Sequence, residues 1–126
     1  QAGVQLVRGG GPRCELETDP AVLTIALGEL VSNAITASPD GGTITLSWEA
    51  LSCHVAIHVD DEGPGVAAEN ADAILRPFFT TRPNGRGLGL TVALRACRLV
   101  RARLAWHNRE TGGCRFSIIV PGAGVE

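Results

Sequence analysis

Lysine is missing from this sequence: its eleven basic residues are all arginines. A P-loop, whose lysine reaches the terminal phosphates of a nucleotide, is therefore excluded, as is any mechanism that needs a lysine amine. Cysteine is sparse and scattered. Cys14, Cys53, Cys97 and Cys114 form no C-x-x-C pair, which disfavours a zinc site and fits reduced cytosolic thiols. No apolar run approaches the length that crosses a bilayer, and the first residues lack the basic-then-apolar order of a signal peptide. A cytoplasmic location is expected. Internal repeats and low-complexity tracts are absent as well. The formal net charge of -2 argues against nucleic acid as the main partner.

What is present suits one domain: 126 residues with 44% hydrophobic content can bury a real core without disulfides. The chain opens in strand-like sequence (Val4, Leu6), as a piece excised from a longer protein would. Asp19-Pro20 marks a helix start, a capping carboxylate followed by proline at the first helical position. The helix is expected to run to about Ala37 and to stop at Ser38-Pro39-Asp40-Gly41-Gly42. Leu23, Leu27, Leu30 and Ala34 form its apolar stripe, with Val22, Ala26, Glu29 and Asn33 adjoining.

Ile44, Leu46 and Trp48 alternate with polar residues, as do Cys53, Val55, Ile57, Val59 and Asp61 with Ala56, His58 and Asp60, so two strands follow. The odd-numbered face of the second is apolar until Asp61, which places that carboxylate on the covered side of the sheet. An ionised group there is costly unless something binds it. Residues 66–84 look irregular, with one helical turn around 70–75, and a connection of that length is usually a functional lid. A helix over 88–100 and strands over 104–106 and 115–120, joined through Thr111-Gly112-Gly113, close the chain. The element order reads as an α+β sandwich with helices on one sheet face.

Glu29 and Asn33, four residues apart, share a helix face. Asparagine offers a neutral carbonyl oxygen suited to magnesium that keeps most of its waters, and a glutamate one turn earlier can polarise a water or hydroxyl near the same phosphate. The spacing also suits a solvent-facing polar pair. Asp61 needs a donor such as the exocyclic amine of adenine, and Gly63 and Gly65 would let a base approach the backbone closely. Asp61-Glu62-Gly63-Pro64-Gly65 is equally good turn chemistry.

Gly85-Arg86-Gly87-Leu88-Gly89-Leu90 lacks the context of a Rossmann site, because Pro83-Asn84 rather than a strand precedes it. It fits a helix start that gathers backbone N–H groups around phosphate, or a simple hinge. Phe78 and Phe79 suit a satellite core, whereas Thr80, Thr81 and Arg82 suit phosphate oxygens, a partner or plain surface. His54, His58 and His107 show neither metal nor nucleophile spacing. Arg95, Arg98, Arg101 and Arg103 gather at the end of the last helix, where cations complement its dipole.

Taken in order, these pieces resemble the ATP-binding catalytic domain of bacterial sensor histidine kinases, within the GHKL ATPase superfamily. Glu29-Leu30-Val31-Ser32-Asn33-Ala34 looks like the N box and Asp61-Glu62-Gly63-Pro64-Gly65 like the first glycine box. Pro77-Phe78-Phe79-Thr80-Thr81-Arg82 looks like the F box and the 85–90 segment like the second glycine box. Each box alone is weak; four in order, over nearly the whole chain, are specific. The resemblance implies a Bergerat-type two-layer sandwich, a mixed, mostly antiparallel sheet with ATP between it and the helices. It implies that Asn33 coordinates magnesium, Glu29 assists phosphoryl transfer, Asp61 hydrogen-bonds adenine and Gly63 and Gly65 border the base. Gly85, Gly87, Leu88, Gly89 and Leu90, with Arg86, would bind phosphates, and residues 66–84 would be the ATP lid.

Three positions depart from the family pattern. Arg76 stands where glutamate is usual, residues 99–102 lack the His-Gly-Gly turn, and Cys114 stands where threonine is frequent. The phosphoacceptor histidine of such kinases lies on a dimerisation domain that this sequence does not include. The implied activity is therefore transfer of the γ-phosphate of Mg-ATP to a histidine on that partner domain, with a response regulator downstream. The isolated chain is expected to be monomeric, without nucleic acid or direct membrane contact. The alternatives are a non-catalytic nucleotide-sensing scaffold and an anti-sigma-type serine kinase of the same superfamily.

Overall fold

The structure, a computed structural model, describes residues 5–11, 16–75 and 88–122. Strand β1 (Gln5–Gly10) leads to helix α1 (Pro20–Ala37), then to the hairpin of β2 (Thr43–Ala50) and β3 (His54–Asp60). A short 3-10 turn over Ala68–Asn70 precedes helix α2 (Leu88–Leu99), and β4 (Arg103–Asn108) and β5 (Cys114–Pro121) complete the chain. The strands form one sheet in the order β1-β2-β3-β5-β4. β1 runs parallel to β2 and the other neighbours are antiparallel. The parallel pair needs a crossover, which α1 supplies. This is the expected two-layer α/β sandwich.

Asp19 caps α1 by accepting from Ala21 N at 2.9 Å and Val22 N at 3.4 Å, and Pro20 supplies a first position that has no N–H to satisfy. Its buried stripe is Leu23, Ala26, Leu30 and Ala34. Leu23, Leu30 and Ala34 are buried as expected, Ala26 joins them from the adjoining stripe, and Leu27 is half-buried against the same core. By length and composition α1 could cross a membrane, which corrects the expectation that no apolar run approaches that length. Its apolar stripe serves the core instead. There it meets Leu90, Ala93, Ala96 and Cys97 of α2 and Ile44, Val59, Ile118 and Val120 of the sheet. Each of the larger side chains, fully buried, stabilises the fold by about 1.5–3 kcal/mol.

The even-numbered residues of β3 face the other side of the sheet, and two of them, His58 and Asp60, are held there by polar partners. His58 sits 2.7 Å from both the Ser117 hydroxyl and a Glu49 carboxylate oxygen. Asp60 accepts two hydrogen bonds from Arg115, at 2.7 and 2.9 Å. Such pairing is what allows polar groups to be buried on that face.

Helix α2 ends in a left-handed turn without glycine. Arg101, at φ 61°, donates to Arg98 O at 3.2 Å, and Ala102 N donates to Cys97 O at 2.8 Å. This is the paired hydrogen bonding of a Schellman cap. Val100-Arg101-Ala102 thus closes the helix without the glycines of a His-Gly-Gly sequence.

Candidate functional site

Asp61 follows the last residue of β3 and keeps its register, with Asp61 N donating to Cys114 O at 3.0 Å. Its side chain is only 4% exposed. Oδ1 accepts from Gly63 N at 2.9 Å and from Cys114 N at 3.2 Å. Arg109 is close but spends its Nη1 on the main-chain carbonyl of Asp61, at 2.7 Å. Burial pushes the carboxyl above its ordinary 3.8; the Gly63 and Cys114 N–H groups and the Arg109 charge oppose the shift, and neighbouring Asp60 adds to it. Among the described residues no side chain donates to this carboxylate. A buried acceptor in that state is suited to a ligand that brings its own N–H.

The turn after Asp61 is glycine-rich for reasons internal to the protein. A Cβ on Gly63 would stand 2.6 Å from Ala37 O, at the end of α1. One on Gly65, at φ +78°, would stand 2.7 Å from Asn108 Oδ1. Gly113, at φ +84°, leaves no room at all for a side chain against the Asp61 carbonyl. A further tie comes from Glu62, whose Oε1 accepts from Thr43 N at 3.0 Å.

Glu29 and Asn33 are half-buried and lie one turn apart on α1, with Asn33 one turn before Ala37. Packing of Gly63 against Ala37 therefore brings the Asp61 turn to the end of the helix that carries both polar residues. α2 lies alongside α1. Its residue Leu90 turns its side chain into the core, so any ligand contact there would come from main chain. Phe78, Phe79, Thr80, Thr81, Arg82, Gly85, Arg86 and Gly87 lie outside the described residues, as does the side chain of Leu88.

Cys114 is buried 3% exposed beside Asp61, and its thiol is pushed up to about 12 by burial, then by the Asp61 and Asp60 charges. It is an inert packing group at neutral pH. His54 and His107 are exposed and His58 belongs to the opposite sheet face. Asn108, Arg109 and Glu62 were not distinguished by their sequence, because polar residues beside Gly-Gly and Gly-Pro turns look like ordinary loop chemistry.

Residues 18–124 match the family described as histidine kinase-, DNA gyrase B- and HSP90-like ATPase. The chain belongs to this ATPase family. Sporulation kinase C of Bacillus subtilis is 32% identical over 108 residues, 86% of this chain and 25% of that protein. Sensor histidine kinase ZraS of Escherichia coli is 36% identical over 107 residues, 85% of this chain and 23% of that one. The chain thus spans about a quarter of the length of these curated relatives. The catalytic domain of histidine kinase ThkA superposes with a TM-score of 0.82 at 28% identity, covering 94% of this chain and 79% of that one. The mycobacterial sensor histidine kinase MprB shares the fold, with a TM-score of 0.83 at 22% identity over 98% of this chain and 85% of that one.

Proposed function

We propose that this member of the ATPase family binds Mg-ATP and donates the γ-phosphate to a histidine on a separate dimerisation domain, feeding a response regulator. The observation that carries the reading is Asp61: a buried carboxylate at the end of β3, met by two main-chain N–H groups and no side-chain donor among the described residues. In this reading the exocyclic amine of adenine supplies the missing donor. The base enters beside Gly63 and Gly65, and the main chain at Gly87, Leu88, Gly89 and Leu90 receives phosphates at the α2 N-terminus. Thr80, Thr81, Arg82, Gly85 and Arg86 are the remaining proposed nucleotide contacts.

Asn33 offers a carbonyl oxygen to magnesium, which supplies charge neutralisation between phosphates when bound. Glu29, one turn away, would orient the incoming imidazole or a water. The work of the protein is chiefly positioning. A cytoplasmic location and a monomeric isolated chain accompany the reading.

Calorimetric titration with Mg-ATP tests the first half. Wild type should bind and Asp61→Ala should lose most of the affinity; equal binding by the two would overturn the assignment. Labelled ATP supplied with a cognate dimerisation domain in trans tests the second half. Histidine phosphorylation that disappears in Glu29→Gln and in Asn33→Asp separates a kinase from a nucleotide-sensing scaffold.

A further inference from the structure

We infer that Asn108 and Arg109, at the end of β4, form a latch that positions the base-reading turn and sets its preference for adenine. The inference rests on the nucleotide reading above. The turn from Asp61 to Val66 is held at both ends by these two consecutive residues. At its first end Arg109 Nη1 donates to Asp61 O at 2.7 Å. At its last end Asn108 closes a ring with the Val66 main chain: Val66 N donates to Oδ1 at 2.8 Å, and Nδ2 donates to Val66 O at 2.9 Å.

The latch residues are themselves fixed. Arg109 N donates to Gly113 O at 2.9 Å, and Cys114 N reaches Asp61 Oδ1 at 3.2 Å, so the hairpin touches both the carbonyl and the carboxylate of Asp61. Two glycines make the approach possible. A side chain at Gly65 would push on Asn108 Oδ1, and one at Gly113 would collide with the Asp61 carbonyl.

The consequence is geometric. Asp61 lies just beyond the ladder of β3, where a loop residue would otherwise be free to swing. Five hydrogen bonds from one hairpin end, counting the Asp61 N to Cys114 O bond, remove that freedom before any ligand arrives. Preorganisation of this kind raises affinity and sharpens selectivity, because the carboxylate need not be reordered on binding. An adenine amine gains from a fixed carboxylate, whereas guanine presents a carbonyl at the same place and gains nothing. Asn108 and Arg109 are therefore positioning residues that touch the turn and not the nucleotide.

The test measures Mg-ATP and Mg-GTP affinity for the whole chain in wild type, Asn108→Ala, Asn108→Asp, Arg109→Met and Asp61→Ala, with thermal melting of each nucleotide-free protein. Asn108→Ala, which removes two hydrogen bonds, and Arg109→Met, which removes one, should each weaken ATP about fivefold or more. GTP affinity should change less, so the ATP-to-GTP ratio falls. Asn108→Asp keeps the acceptor and loses the donor, and should fall between wild type and Asn108→Ala. ATP affinity within about twofold of wild type, or equal losses for both nucleotides, would overturn the latch. That result would leave the nucleotide reading standing if Asp61→Ala still failed to bind. Wild type that bound neither nucleotide would remove both.

Discussion

At the scale of single residues, Asp61 is a position where binding and stability conflict. Its carboxyl is buried and its pKa lies above the ordinary 3.8, chiefly through desolvation. For an acid whose folded value is raised, the favourable contribution is complete below the unfolded value and is lost as pH rises through the folded one. At neutral pH the ionised carboxylate therefore weakens the nucleotide-free fold. Asp61→Asn keeps an acceptor for Gly63 N and Cys114 N and removes the charge. Its melting temperature at pH 7 should exceed that of wild type, and the gain should shrink as pH falls toward 3.8. Adenosine, which carries no titrating phosphate, should bind wild type more weakly over that same descent and bind Asp61→Asn poorly throughout.

Cysteine chemistry belongs to the same scale. Cys53 is exposed, whereas Cys97 and Cys114 are buried with thiols pushed up by desolvation, Cys114 to about 12. Iodoacetamide at neutral pH should label Cys53 in the folded protein and reach Cys97 and Cys114 only after denaturation, as peptide mass mapping would show. Prompt labelling of Cys114 in the folded state would mean that the Asp61 turn opens readily.

At the scale of elements, the end of α2 stores removable strain. Arg101 holds φ 61°, a left-handed conformation that costs an L-residue roughly 1–2 kcal/mol, although glycine adopts it freely at some cost in unfolded-chain entropy. Arg101→Gly should therefore stabilise the domain by about 0.5–1 kcal/mol. Urea unfolding should show a raised midpoint with unchanged slope. An unchanged or lowered midpoint would mean that the exposed arginine has a compensating role that the cap geometry does not reveal.

The same turn shows where the sequence was legible. Helix α1 could be read from Asp19-Pro20 to Ala37 because both of its ends carry local chemistry, and β3 and its inner face from strict alternation. The helix-ending turn could not, because an arginine in a left-handed conformation carries no compositional signal. The 3-10 turn lies at Ala68–Asn70, and hydrogen-bonded turns continue over 71–75, where one helical turn was expected. Strands β4 and β5 extend one or two residues beyond expectation, as pairing recruits the polar ends of a hairpin. Of the site, Asp61 and its glycines were readable, since a charge ending an apolar face is conspicuous. The latch was not, because Asn108 and Arg109 act across 42 and 48 residues of chain.

At the scale of the whole molecule, one core supports both the fold and the proposed site, but unevenly. Leu30 is buried between the positions of Glu29 and Asn33 on α1, so the seating of that helix fixes where both polar groups stand. Ile118 is also fully buried but lies mid-sheet, paired with Ile57 and Leu104. Leu30→Ala should cost about 2–5 kcal/mol and Ile118→Val about 0.5–1.5 kcal/mol. Their response to ligand should differ in kind as well as size. A ligand that binds only the folded chain stabilises it by about 2.7 kcal/mol at a hundred times Kd. Melting curves with and without Mg-ATP at one fixed concentration read that increment directly. Ile118→Val should retain the whole of it, since the loss of one methyl group beneath the helices leaves too little room for α1 to shift. Leu30→Ala should retain less, because a helix that settles into its own cavity moves Asn33 and Glu29 and weakens Kd. Equal increments in the two variants would show that the seating of α1 does not set nucleotide affinity. The Asp61 turn and its latch would then be the dominant determinant.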